Sequence, residues 1–265
     1  MKVYLSADIE GVTGVTHWDE TNLEKSESAA AREQMTAEVA AACEGALQAG
    51  ASEVWVQDAH WTGRNLAAGK LPRQTRLIRG WSGHPLQMVQ LLDSSFGALL
   101  FIGYHSRAAA NTNPLSHSMS GDVTRIVIND RPVSEFLIHG YAAATMGVPV
   151  AFLSGDQGLC REVTEVNARI ATLAVKEGIG EATVSMHPAA AVERIREGVK
   201  AALAGDLAVC LVPPPARLAV DVEYRAHTKA FRSAFYPGAR QSDALTVRFE
   251  SDSYLEVMRF LLFTV

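Results

Sequence analysis

The chain has 265 residues and a net charge of −5; 48% of its residues are hydrophobic and 20% are charged. This composition is typical of a globular protein with one large or two smaller domains, and the negative net charge provides no basic field for nucleic acid. No apolar segment approaches the roughly 20 residues that span a bilayer, so we expect no membrane association, and an acid follows the N-terminus too soon for a signal peptide. The three cysteines are widely spaced and odd in number, which argues against disulfides and favours a cytoplasmic protein.

The first part of the chain alternates between strand-like and helix-like segments. Short apolar segments predict strands, whereas the segment rich in Ala, Glu and Gln that ends at Gly50 predicts a long helix. The predicted strands are residues 3–8, 53–57, 75–79, 98–103, 124–128 and 150–153. The predicted helices are residues 27–49, 85–92 and 134–146. Because a β-α-β beginning implies right-handed crossovers between parallel strands, we predict an α/β fold with a mostly parallel sheet flanked by helices.

The pattern becomes weaker after residue 155, where a triple proline at 213–215 marks a break. The predicted helices of this part are residues 157–165, 189–203 and 253–263, and the predicted strands are residues 218–223 and 244–250. These segments predict a smaller C-terminal α+β portion. We therefore expect a first domain over residues 1–155, which carries the candidate metal-binding and catalytic residues, and a C-terminal α/β portion over residues 156–265. The alternative is that the second portion is continuous with the first.

Two carboxylates lie at the end of the first predicted strand, where acids are normally unfavourable. Asp8 and Glu10 are two residues apart, so their side chains project from the same face of an extended chain. Open α/β folds place their chemistry at the carboxyl ends of strands, and two like charges there need a positive partner. One or more divalent metal ions would supply it. The alternative is that the two acids cap a turn or a helix N-terminus.

Two histidines and another acid follow later predicted elements. His60 and His105 each come just after an apolar strand, and Glu135 lies at the start of the predicted helix 134–146. Together with the first two acids, these side chains form a mixed carboxylate and imidazole set that suits zinc. A bridging carboxylate in such a set can hold two ions about 3.5–4 Å apart. A hydrogen-bonded core or surface position is the alternative for any single histidine, but the pair at two strand ends favours metal ligands.

Two other histidines have less certain settings. His117 lies in a polar loop of small residues and could exchange protons near neutral pH, although an ordinary hydrogen bond to a serine is equally compatible with the sequence. His139 is four residues after Glu135 on the predicted helix, which is compatible with a second ligand or with a contact to a metal-binding carboxylate. The remaining histidines are interpreted as structural, namely His17, His84, His187 and His227.

Other catalytic signatures are missing from the sequence. The segment Gly11-Val12-Thr13-Gly14 lacks the lysine of a phosphate-binding loop, and no dinucleotide-binding glycine pattern follows a strand. There is no Gly-x-Ser-x-Gly motif, and nothing near Cys160 indicates an activated thiol. The metal site is therefore the best-supported centre of chemistry.

The same residues carry a resemblance to a known family. Ser6-Ala7-Asp8-Ile9-Glu10-Gly11 fits the SxDxEG signature of the D-aminopeptidase family of binuclear zinc peptidases. Further blocks follow in the family's order and at near-identical spacing, and they are Asp58-Ala59-His60, Gly103-Tyr104-His105-Ser106-Arg107, Ser116-His117-Ser118-Met119 and Ile128-Asn129-Asp130-Arg131-Pro132-Val133-x-Glu135. The resemblance covers roughly the first 155 residues closely and the last third only loosely.

The resemblance implies a role for each matching residue. The zinc ligands would be Asp8, Glu10, His60, His105 and Glu135, with Asp8 as the carboxylate that bridges two Zn²⁺ ions per chain. His117 would be the catalytic histidine, for which proton transfer or stabilisation of an oxyanion is physically easier to defend than nucleophilic attack. The reaction would be hydrolysis of the N-terminal residue of short D-amino-acid-containing peptides by a hydroxide that bridges the metals. The family also implies a homo-oligomer, a ring-shaped decamer.

Several alternatives remain open at this point. The preference for D-residues depends on the resemblance alone, so a metal-dependent peptidase or amidase without D-selectivity is one rival. The free amine of the peptide could pair with Asp130 or Asp156 instead of a metal. A metal-dependent phosphoesterase is a second rival, although few basic residues besides Arg107 and Arg131 flank the predicted site. A non-catalytic binding or assembly protein on the same fold is a third.

Overall fold

The computed structural model describes all 265 residues and contains twelve strands and six α-helices. The strands are β1 (Lys2–Ala7), β2 (Glu53–Asp58), β3 (Thr75–Ile78), β4 (Phe96–Tyr104), β5 (Val123–Ile128), β6 (Arg131–Pro132), β7 (Val150–Asp156), β8 (Ala171–Ile179), β9 (Ala182–Ser185), β10 (Leu218–Tyr224), β11 (Arg240–Gln241) and β12 (Thr246–Ser251). The helices are α1 (Ser28–Gln48), α2 (Glu135–Thr145), α3 (Gln157–Val166), α4 (Pro188–Leu203), α5 (His227–Ser233) and α6 (Tyr254–Thr264).

The strands form two sheets. Seven strands in the order β3-β2-β1-β4-β7-β8-β9 form what we call the parallel sheet, in which only the pair β8 and β9 is antiparallel. Five strands in the order β11-β12-β10-β5-β6 form the antiparallel sheet. The predicted fold class, an α/β protein with a mostly parallel sheet and a smaller α+β portion, is confirmed.

Strand β4 lies near the middle of the parallel sheet and is covered on both faces. Its side chains alternate, so Ala98, Leu100 and Ile102 join a core with α1 and α4 on one face. Leu99 and Phe101 join a second core on the opposite face, which is shared with α2, α6 and the antiparallel sheet. Burial on both faces explains why this strand is continuously apolar in sequence.

The structure differs from the predicted elements in several places. Residues 85–92 form only a short 3₁₀ turn at Gln87–Val89, because positive φ angles at Gln87 (46°) and Leu91 (66°) are incompatible with an α-helix. The strand predicted at 124–128 is present as β5, but it belongs to the antiparallel sheet. The sequence did not predict β8, β9 or α5. In β8 the buried Lys176 interrupts the apolar pattern, and α5 spans only 7 residues.

Both sheets take strands from either side of residue 155. Strands β8 and β9 follow residue 155 and extend the parallel sheet. Strands β5 and β6 precede residue 155 but belong to the antiparallel sheet, in which β5 pairs with β10. The division into two domains at residue 155 therefore stays a prediction, since each sheet contains strands from both sides of it. No helix combines the length and the apolar character needed to cross a membrane.

Candidate metal centre

Three adjacent strands of the parallel sheet bring four of the candidate ligands together. Ala7 at the end of β1 is paired with Asp58 of β2 on one side and with Ile102 of β4 on the other. Asp8 and Glu10, which follow β1, therefore lie between the ends of β2 and β4. His60 follows β2, and His105 follows β4. The alignment of strand ends that the sequence predicted is present at this edge.

The fifth candidate arrives from a helix that begins at the same edge. Glu135 is the first residue of α2, and the preceding Ser134 caps the helix by accepting a hydrogen bond from the Leu137 amide. Glu135 Oε2 lies 3.4 Å from His105 Nε2, and Oε1 accepts a hydrogen bond of 2.6 Å from the Met119 amide. The helix therefore directs this carboxylate back toward the strand ends.

The carboxylate of Asp8 lies between the two strand-end histidines. Its Oδ1 atom is 3.3 Å from His60 Nδ1, and its Oδ2 atom is 3.5 Å from His105 Nε2. His60 Nδ1 is also 3.0 Å from Glu10 Oε2. Each oxygen of Asp8 thus faces a different histidine, which is the arrangement that a carboxylate shared between two ions requires.

The three histidine rings of the site are oriented by backbone carbonyl groups. In each ring one nitrogen bonds to a carbonyl oxygen and the other is directed toward the acidic cluster, as in histidines that ligate metals. The carbonyl contacts are His60 Nε2 to Thr21 O (3.0 Å), His105 Nδ1 to Ser106 O (2.9 Å) and His117 Nδ1 to Leu115 O (3.0 Å). A neutral ring that donates to its carbonyl from one nitrogen has the other nitrogen free to ligate a metal in the site.

Burial makes the cluster electrostatically demanding. Asp8, Glu10 and Glu135 are only 1–3% exposed. Burial and the charge of Glu10 raise the pKa of the Asp8 carboxyl well above its usual value. Burial opposes protonation of His105, yet the adjacent Glu135 carboxylate raises the pKa of that ring to about 10. The carboxylates therefore attract positive charge to this point, as protons or as cations.

The donor atoms fit a metal better than they fit one another. Glu10 Oε2 and His105 Nε2 are buried and have no hydrogen-bond partner, although Glu10 Oε2 is close to the ring of His60. Two overlapping groups of donor atoms lie within 4.8 Å of one another: Asp8, Glu10 and His105, and His105, His117 and Glu135. Unpartnered oxygen and imidazole donors at such separations are typical of a site for zinc or a similar divalent cation.

His117 lies beside the cluster but is more open to solvent. Its ring stacks on His105 with centroids 4.3 Å apart and planes inclined by 11°, and its side chain is 19% exposed. The Nε2 atom is 3.7 Å from Glu135 Oε1, and the ring of Trp18 contacts it edge-on. His117 is thus held at the border between the buried donors and the solvent.

A cleft of about 760 Å³ opens onto the cluster. The candidate ligands Asp8, Glu10, His60 and Glu135 line it together with His117, whereas His105 is covered by its neighbours. Three tryptophans lie in its wall, namely Trp18, Trp61 and Trp81. Met119, His84 and Arg225 also line the cleft. A cleft of this size beside unpartnered metal donors is typical of an active site for a small substrate.

Some residues considered from the sequence lie outside the site. Asp130 is exposed in the turn between β5 and β6, and Asp156 is a buried cap of α3 that accepts hydrogen bonds from the amide of Ser106 and from Asn113 Nδ2. Neither lines the cleft, so the geometry does not place either acid beside a substrate bound there. His84, interpreted as structural, does line the cleft.

His139 does not reach the metal donors. Its Nδ1 atom donates a hydrogen bond of 2.7 Å to the backbone carbonyl of Glu135 and not to the carboxylate. The ring is fully buried, and burial lowers its pKa to about 4, which keeps it neutral. The helical spacing of four residues therefore produces a contact within α2, not a ligand.

Sequence reasoning also missed residues that hold the cluster in place. Lys176 is 3% exposed, and its ammonium group donates hydrogen bonds of 2.5 Å to the carbonyl oxygens of Glu10 and Val15. Asn113 Nδ2 donates a third bond, of 3.0 Å, to the Glu10 carbonyl. Both donors come from parts of the chain far from Glu10, so no local sequence pattern could have identified them.

Comparison with known proteins agrees with this geometry. The sequence profile of the D-aminopeptidase family matches residues 1–263. The chain belongs to the D-aminopeptidase family. The predicted family and the predicted class of enzyme, an aminopeptidase, are therefore confirmed.

Two relatives match almost the whole chain. The D-aminopeptidase of Bacillus subtilis (strain 168) is 33% identical over 264 residues, which cover 99% of this chain and 96% of the relative. A solved structure, the Zn-dependent D-aminopeptidase DppA from Bacillus subtilis, described as a self-compartmentalizing protease, superposes with a TM-score of 0.94 at 32% identity. That comparison covers 100% of this chain and 96% of DppA, so the similarity includes the C-terminal third.

Proposed function

We propose that this chain is a binuclear zinc-dependent aminopeptidase that removes the N-terminal residue of short peptides containing D-amino acids. The observation that carries the proposal is the Asp8 carboxylate, whose two oxygens face His60 and His105 separately. Membership in the D-aminopeptidase family supports the class of reaction, and the zinc dependence of DppA supports the metal.

The five candidate ligands divide naturally around Asp8. Glu10 and His60 lie on one side of its carboxylate, and His105 and Glu135 lie on the other. On this division Glu10, His60 and Asp8 would hold one ion, and His105, Glu135 and Asp8 would hold the other. When bound, two zinc ions polarise the scissile carbonyl and lower the pKa of water enough for it to act as a nucleophile near neutral pH.

His117 has the geometry of a proton-transfer residue. Its Nδ1 atom is engaged by the Leu115 carbonyl, so Nε2 is the atom that faces the cleft and can hold or release a proton. In the protonated state Nε2 donates to the oxygen that becomes negative during attack, and it can then transfer that proton to the departing amine nitrogen.

The cleft also supports binding of a short substrate through its N-terminal end. Its only carboxylates are Asp8, Glu10 and Glu135, so no separate acid is present to pair with the free amine. We therefore propose that the amine binds beside the metal cluster, and that the tryptophan walls select the side-chain configuration by shape.

The assembly of the relative suggests an oligomer. DppA is described as self-compartmentalizing, and we propose that this chain likewise forms a homo-oligomer, a ring-shaped decamer. Phe231, Phe235 and Phe263 are largely exposed on α5, its C-terminal turn and α6, which is unusual for a chain that acts alone. We also propose the cytoplasm as its compartment, since all three cysteines are unpaired.

The proposal is tested by measuring metal content together with hydrolysis of D-alanyl-D-alanine and L-alanyl-L-alanine. We expect about two zinc ions per chain and cleavage of the D,D-dipeptide in preference to the L,L-dipeptide. Asp8→Ala and His60→Ala should lose metal and activity together, whereas Asp130→Ala, which removes an exposed acid outside the cleft, should retain both.

Each other outcome identifies a different error. Two metals with equal cleavage of both dipeptides would leave a peptidase without D-selectivity. Two metals without cleavage of either would redirect the search to other amides and to phosphoesters. If the purified protein held no metal and gained no activity on addition of zinc, the assignment of Asp8 as a bridging ligand would be refuted.

A further inference from the structure

Negative and positive side chains are unequally represented in the lining of the cleft. Apart from the three candidate ligand carboxylates, the lining contains one permanently charged side chain, that of Arg225. It is the only Lys or Arg in the wall of the cleft. If the metals neutralise the carboxylates, this guanidinium is the remaining ionic group that a substrate can meet.

The guanidinium of Arg225 has no ionic partner within the chain. The residue follows directly after β10, is exposed, and its guanidinium makes no hydrogen bond or ion pair. Two arginines within the antiparallel sheet are paired instead: Arg125 contacts Glu223 at 2.9 Å, and Arg248 forms a bidentate contact with Asp221. A free guanidinium in the wall of a cleft is available for an anionic group of a ligand.

The backbone connects Arg225 to the catalytic part of the cleft. Its amide donates a hydrogen bond of 2.9 Å to the carbonyl of Asp122, which ends the loop that carries His117. Within that loop the Met119 amide is bonded to the Glu135 carboxylate. Arg225 is therefore fixed in register with the metal cluster by two hydrogen bonds and a short piece of chain, and not by a flexible linker.

We propose that Arg225 binds the C-terminal carboxylate of the peptide and thereby makes the cleft selective for short peptides with a free C-terminus. The inference depends on the proposed function and extends it. With the amine at the metal end, a carboxylate at Arg225 requires a peptide short enough to lie within one cleft. The guanidinium fork matches a carboxylate with two parallel hydrogen bonds, a contact that an amidated peptide cannot form equally well.

The predicted effect is on binding, because the C-terminal carboxylate does not change charge during the reaction. Such a contact stabilises the substrate and the transition state equally, so its removal raises KM and leaves kcat nearly unchanged. For a partly solvated pair we expect about a tenfold effect on KM. The effect should weaken as salt is added, since the guanidinium is exposed.

The experiment compares D-alanyl-D-alanine with its C-terminal amide, using the zinc-loaded full chain. In the unmodified protein we expect a KM about tenfold lower for the acid than for the amide, a difference that shrinks at high salt. Arg225→Gln should raise KM for the acid to that of the amide, and Arg225→Lys should have an intermediate effect. Arg125→Gln, which removes an arginine outside the cleft, is the matched control and should behave as the unmodified protein.

The outcomes separate this inference from the function on which it rests. Equal KM values for acid and amide in the unmodified protein would overturn the role of Arg225 without any variant. The same is true if Arg225→Gln raises KM equally for both substrates, since that would indicate a structural role. If neither substrate is cleaved by the zinc-loaded protein, the proposed function itself fails and the inference falls with it.

Discussion

Gly11 lies where the loop after β1 passes directly over the end of β4. Its amide donates a hydrogen bond of 2.8 Å to the Gly103 carbonyl, and it follows the candidate ligand Glu10. A Cβ atom at Gly11 would lie 1.7 Å from the carbonyl oxygen of Tyr104. The obstacle is backbone on both sides, so no side chain can rotate away to relieve it. We therefore choose Gly11→Ala as a perturbation that acts on the spacing of the metal ligands.

The expected displacement follows from the contact distance. Real Cβ atoms essentially never approach closer than 3.0 Å, so the two segments must separate by about 1.3 Å from the present 1.7 Å. Glu10 lies on one segment and His105 on the other, which means that the ligands move apart by a similar amount. Misplacement of about 1 Å in an active site costs on the order of 100-fold in rate, and overpacking costs about 1–3 kcal/mol of stability.

The assay combines zinc content, kcat/KM and the free energy of unfolding. Gly11→Ala should fold, bind less zinc and lose about 100-fold in kcat/KM. Gly14→Ala is the matched control in the same loop, because its φ of 84° strains an alanine while nothing lies within 4 Å of the added Cβ. That strain costs roughly 1–2 kcal/mol, so the two variants should have similar stabilities and very different activities. A Gly11→Ala protein with normal zinc content and normal activity would refute the reasoning.

Two further predictions concern buried charges. Lys176→Met removes two charge-assisted hydrogen bonds to the carbonyls of Glu10 and Val15. The free energy of unfolding should therefore fall by roughly 3 kcal/mol, and the affinity for zinc should weaken. Unchanged values in chemical denaturation and in metal titration would exclude this role. Glu162 is largely buried and bonded by Ser134, and burial raises its pKa above the usual 4.5, so its ionisation costs stability as pH rises past that value. Glu162→Gln should therefore become more stable than the unmodified protein as pH increases from about 4.5 to 7.5, and a pH-independent difference in unfolding free energy would contradict it.

Much of the candidate site could be predicted because its residues follow from strand geometry. A parallel sheet brings the ends of β1, β2 and β4 to the same edge, and Asp8 and Glu10 follow directly after β1, where the chain turns. His60 and His105 could be associated with that edge without knowledge of their contacts. These relationships depend on positions along a strand, which the sequence specifies directly.

The rest of the site depends on long-range contacts that carry no local signal. Lys176 contacts the Glu10 carbonyl from β8. The charge of Lys176 interrupts the apolar pattern of β8, so the sequence did not predict this strand. Arg225 enters the cleft because the antiparallel sheet packs beside the parallel one, and nothing around it distinguishes it from other surface arginines. Local spacing alone can also mislead. His139 lies four residues after Glu135 on the helix as predicted, but it contacts the backbone carbonyl of Glu135 and not the carboxylate.

The electrostatics of the cluster predict that a bound metal stabilises the folded chain as well as supplying its chemistry. Three carboxylates enclosed at 1–3% exposure are unfavourable unless positive charge accompanies them. Without a cation that charge must come from protons, as the raised pKa of His105, about 10, indicates. A bound divalent ion replaces those protons, so loading releases them and links metal affinity to pH. The carbonyls that orient the histidine rings are made by the folded loops, and the donors are therefore assembled only when the chain folds. Metal binding and folding consequently stabilise each other at this edge of the sheet.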